Sequence, residues 1–142
     1  MAFEAFSDEW AKAWGDKLRE NGDYQDSAET WEGSIVMTMT ADIDLEVAEP
    51  RSIFLDLWHG EVRAARAASP DDIEKANYII SADPFTWKQV VDGKLEAIAG
   101  IMRGKLKLTR GSMSVLSGYV LASKEMLNSS QSVPTIFPAG LA

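Results

Sequence analysis

The 142-residue chain fits one domain, which at this size buries about 70% of its unfolded surface and needs no covalent or metal staple to fold. With 22 acidic against 14 basic residues its formal charge is −8, a field that repels polyphosphate backbones and argues against nucleic acid as a partner. There is no cysteine, so disulfides, thiolate metal sites and cysteine nucleophiles are excluded; with no leader-like start and no apolar run of roughly 20 residues, the reading is a soluble cytoplasmic protein.

Ser7 has the chemistry of an N-cap for a first helix in which Trp10, Trp14 and Leu18 recur every four residues, with Asn21-Gly22 as its stop. A short helical stretch over 24–31 precedes Gly33 and an alternating strand over 35–40. Segments 51–58 and 61–68 read as strands, joined by His59-Gly60, a two-residue hairpin linker ending in glycine. Ser69-Pro70-Asp71-Asp72 has the composition of a loop, and 78–80 reads as a short buried strand. Asp83 and Pro84 are placed to cap and open a helix over 85–91, which Asp92-Gly93 ends. A further helix over 95–102 stops at Gly104, and 105–110 alternates with its leucines on one face. Ser112 caps a last helix in which Met113, Leu116, Val120 and Leu127 share a side. This order predicts an α+β domain over 1–127, with a mostly antiparallel five-stranded sheet covered on one side by about five helices. The Ser- and Pro-containing segment 128–142 is expected to be a flexible or docking tail.

Residues able to do chemistry are scarce. His59 is the only histidine and falls in a turn, which leaves no metal cluster and no Ser-His-Asp arrangement. No glycine-rich phosphate loop is present, and Asp42, Asp44 and Glu46 alternate as a solvated face does. No catalytic residue, metal or cofactor is therefore expected. One basic cluster, Lys94, Arg103, Lys105, Lys107 and Arg110, stands out in an acidic chain, either as a solvated strand face or as a contact for an acidic headgroup or an anionic membrane. Five tryptophans, five phenylalanines and six methionines supply ample apolar volume, but composition alone does not separate a filled core from a cavity.

Ala82-Asp83, the helix with Phe85 and Val90, Gly93-Lys94-Leu95, the Ala-containing helix, Gly104-Lys105-Leu106-Lys107-Leu108 and Gly111 together resemble the signature of the sterol carrier protein 2 family of lipid-binding domains. The order of elements over 34–127 is similar to that family's as well. The resemblance implies a hydrophobic tunnel between sheet and helices that holds a fatty acyl chain, a sterol or another apolar molecule. Its lining is expected from Met37, Phe54, Phe85, Val90, Ile98, Ile101, Met102, Leu106, Leu108, Met113, Leu116 and Val120, with Lys94, Arg103 and Lys105 as headgroup candidates. A non-catalytic lipid carrier is thus the expected function, with transient membrane contact and a homodimer compatible with it. The alternative is a protein-interaction or oligomerisation module whose core is packed solid. The peroxisomal Ser-Lys-Leu ending of animal members is not found in this sequence.

Overall fold

In the computed structural model, which describes residues 2–138, a short strand β1 (Phe3–Glu4) leads into helix α1 (Asp8–Arg19). The Ser7 hydroxyl accepts the Trp10 amide and caps α1 as expected. Its other end differs: Glu20 closes the helix, and Asn21 instead caps α2 (Gly22–Ser27) by accepting from the Tyr24 amide. An asparagine between two helices can serve either one, and here its side chain answers the free amides of the second.

Strand β2 (Glu32–Met39), a 3-10 turn (Ile43–Leu45), β3 (Arg51–Trp58) and β4 (Glu61–Ala67) follow. His59 and Gly60 adopt φ of 49° and 83°, the pair of left-handed positions that a two-residue hairpin twisting with its strands requires. The expected loop at 69–72 is in fact the start of α3 (Pro70–Lys75). There the Ser69 hydroxyl accepts the Asp72 amide while the Asp72 carboxylate accepts the Ser69 amide, so residues with turn composition form a capping box.

Next come β5 (Tyr78–Ala82) and α4 (Pro84–Val91), the latter capped by Asp83, which accepts the Thr86 amide at 2.7 Å. Helix α5 (Ala97–Met102) precedes β6 (Lys107–Arg110). The last strand starts later than its alternation suggests because the Lys105 and Leu106 amides both turn back to the Gly100 carbonyl. The single final helix of the sequence reading is broken into α6 (Met113–Leu116), a 3-10 turn (Ser117–Tyr119) and α7 (Val120–Ser130). Residues 128–130 therefore belong to α7, Val133 is buried, and β7 (Thr135–Ile136) pairs in parallel with β1. Positions 139–142 of the expected tail lie outside the described residues.

The main sheet has the order β4-β3-β2-β5-β6, with β2 and β5 parallel and the other three pairs antiparallel. Alternation sends Ile35, Met37, Ile53, Leu55, Leu57, Tyr78 and Ile80 into the core beneath the helical layer. Three buried tryptophans fill that layer, and each satisfies its indole N–H: Trp10 donates to Thr135 Oγ1, Trp14 to the Met126 carbonyl and Trp87 to the Thr38 carbonyl. The opposite face carries Val36, Phe54 and Ile79 and is crossed by α3. Arg66, paired in register with Phe54, donates to Asp72 at 2.8 Å, and Arg110, paired with Ile79, donates to the carbonyls of Ile73, Glu74 and Ala76.

Candidate ligand-binding site

An apolar cavity of about 50 Å³ lies between the main sheet and the helices. Its floor is Ile35 and Met37 of β2, Leu57 of β3 and Ile80 of β5, all on the same face by strand alternation. Its walls come from Tyr24, Ala28 and Trp31 on one side and Ala97, Ile98 and Ile101 of α5 on another. Leu116, Tyr119, Ala122, Ser123, Met126 and Leu127 close it, repeating every three or four residues along one helical side.

Among the described residues no charged side chain lines this space. Trp31 spends its indole N–H on the Gly33 carbonyl, and its ring meets Tyr78 at 5.0 Å and the edge of Tyr119 at 4.9 Å. The Tyr119 hydroxyl is tied to Thr30 Oγ1 at 2.9 Å. Burial pushes the Tyr24 hydroxyl up to about 12, so it stays neutral across the physiological range. The volume decides how this site can act: small-molecule pockets measure about 300–1,000 Å³, whereas 50 Å³ has room for a few waters at most. At the place where the resemblance implies a tunnel, the two layers thus meet in a narrow apolar seam.

Four of the twelve lining candidates, Met37, Ile98, Ile101 and Leu116, meet at the cavity. The others are placed elsewhere. Phe54 is on the outer sheet face with Arg66 stacked 4.7 Å above its ring, and Phe85 and Met102 are exposed at 55% and 72%. Leu106 opposes α5 as expected, but packs directly on Gly100 with no space between. Leu108, Met113 and Val120 are half-buried against the core. Val90 is buried and borders a second feature, a groove of about 200 Å³ between the α4–α5 connection and α7. Gly93, Leu95, Glu96, Ala97, Ser123, Lys124, Leu127, Asn128 and Gln131 complete that groove. Lys94, Arg103 and Lys105 are exposed, and none of them lines either space.

Among the described residues no group of three His, Cys, Asp or Glu could hold a metal, and no helix is long and apolar enough to cross a membrane. His59 sits exposed at the hairpin with Nε2 2.6 Å from the Glu32 carboxylate.

The family model described as the SCP-2 sterol transfer family matches residues 16–118. A crystal structure of a sterol carrier protein 2 superposes with a TM-score of 0.83 at 35% identity, over 92% of this chain and 99% of that one. A solution structure from Thermus thermophilus, described as possibly a sterol carrier protein, gives 0.85 at 32% identity over 100% and 97%. The apo form of sterol carrier protein 2 from Yarrowia lipolytica shares the fold at a TM-score of 0.54 and 20% identity, over 83% and 89%. No curated protein matches the sequence.

Proposed function

The chain belongs to the SCP-2 sterol transfer family, and from that premise we propose that it is a non-catalytic carrier that holds the apolar part of a lipid between its sheet and its helices. The observation that carries this reading is the uncharged cavity at the interface of the two layers, with side chains from three strands and from α2, α5 and α7 converging on it. Loading requires those layers to part. The driving force is sufficient: about 0.8 kcal/mol per buried methylene gives roughly 10 kcal/mol gross for a sixteen-carbon chain, before ordering and association costs. Selectivity then follows how far the cavity opens, so several apolar shapes are accepted.

A second reading, an interaction module with a solid core, draws support from the small resting volume. Extracting the freshly purified protein with solvent, after native mass spectrometry, separates the two. A stoichiometric apolar passenger supports the carrier; a protein that arrives empty and takes up no added lipid overturns it. Ala122→Phe sharpens the comparison, because Ala122 lines the cavity and is itself buried. The added ring should fill the cavity, cost about 1–3 kcal/mol of stability and reduce binding of a fluorescent acyl probe at least about tenfold. Unchanged probe binding in a folded variant would show that the lipid sits elsewhere.

A further inference from the structure

The apolar cavity and the α7 groove share three lining residues, Ala97, Ser123 and Leu127, which form the partition between an apolar space and a polar one. On the groove side the single carboxylate among the described residues, Glu96, is already committed. Its Oε1 accepts the Ala99 amide at 3.1 Å, and its Oε2 accepts the Ile98 amide at 2.8 Å and the Ser123 hydroxyl at 3.2 Å. The donors are not committed in this way. Lys124, Asn128 and Gln131 follow one another at spacings of four and three on one side of the α7 end, and all three line the groove. Among the described residues Lys124 has no ion-pair partner, and the two carboxamides make no side-chain hydrogen bond.

Resting on the carrier reading, we infer that this groove is the headgroup subsite, taking the carboxylate of a single-chain fatty acid whose tail passes the Ala97–Ser123–Leu127 partition into the cavity. One ammonium and two carboxamides match a monoanion with four acceptor lone pairs. The nearby Glu96 charge opposes a phosphate dianion, which would bring a second negative charge to a site with one lining cation. The polar end is thereby assigned to α7, away from Lys94, Arg103 and Lys105.

Isothermal titration of the full chain with dodecanoate and with dodecan-1-ol, both kept below micelle formation, tests this. The carboxylate should bind about tenfold more tightly than the alcohol of equal length. Lys124→Glu should erase that preference, and Lys105→Glu, at an exposed position outside both spaces, should leave it and the binding of the alcohol intact. Equal binding of the two amphiphiles by the unmodified chain, loss of the preference in Lys105→Glu instead, or tighter binding of dodecyl phosphate than of dodecanoate would each overturn the subsite while leaving the carrier reading standing. Binding of none of these amphiphiles would remove the carrier reading itself, and the subsite with it.

Discussion

Tyr24 brings a phenol into the wall of an apolar cavity, and burial raises its ionisation to about 12 against about 10 for an exposed tyrosine. The sign of the resulting pH dependence follows from proton counting. Between pH 10 and 12 the unfolded chain gives up this proton while the folded chain keeps it, so the folded state binds more protons and stability falls as pH rises. Two units correspond to about 3 kcal/mol at most. Urea midpoints measured from pH 9 to 12 should therefore decline, and Tyr24→Phe should flatten much of the decline, leaving a smaller slope from Tyr78, whose hydroxyl is also raised by burial. Identical slopes in the two proteins would mean that water reaches Tyr24 in solution. At this same scale the sequence was least informative about the site. Phe54 looks as apolar as Ile53 or Leu55, yet strand parity puts it on the other face of the sheet beneath Arg66. One residue of register decides between cavity and outer surface, and aromatic content does not carry that information.

Elements whose ends are written in local chemistry were legible: Ser7, Asp83 and Ser112 cap the helices they precede, and His59-Gly60 turns the hairpin. Helix α3 was not, because Pro and Asp serve turns and helix starts alike, and the difference lies in the reciprocal Ser69–Asp72 bonds. Its placement is equally nonlocal. Arg66 holds the N-terminal end across the outer sheet face, and the Arg110 guanidinium converges on the carbonyls of Ile73 at 2.8 Å, Glu74 at 2.9 Å and Ala76 at 3.1 Å. Those are the orphan acceptors of a helix C-terminus, and a cation there also suits the helix dipole. Arg110→Met keeps much of the side-chain length and removes the donors. It should cost about 1–2 kcal/mol and raise amide hydrogen exchange in α3 selectively, with exchange in β2 and β3 following only the global loss. Uniform protection across α3 in the variant would show that its packing alone holds it. The result also bears on the basic cluster of the sequence: at least one of its five cations, Arg110, is spent on structure.

At the scale of the whole molecule, sequence and family resemblance placed the two layers, and what neither conveyed is that they meet with so little space between them. A void of about 50 Å³ arises where long side chains from several elements converge without interlocking, a property of their joint geometry and of no single segment. Leu116 is the side chain on which the two functional readings part company. It is buried at 5% exposure, lines the cavity, and belongs to the short α6 and 3-10 connection, which is also attached by Met113 to the core and by Tyr119 to Trp31 and Thr30. Truncating it enlarges an existing cavity, so Leu116→Ala should cost about 2–4 kcal/mol of unfolding free energy in either case. Binding moves differently. In a carrier the leucine occupies volume that the lipid must otherwise displace, and the apo state that has to open is the one destabilised, so the variant should take up an apolar acyl probe faster and at least as tightly as the unmodified chain. In a solid-core module the same change lowers the thermal midpoint and leaves probe binding absent. Chemical denaturation and stopped-flow uptake on one preparation thus give two numbers whose combination, weaker folding with better binding, arises only if the seam between sheet and helices is where the ligand goes.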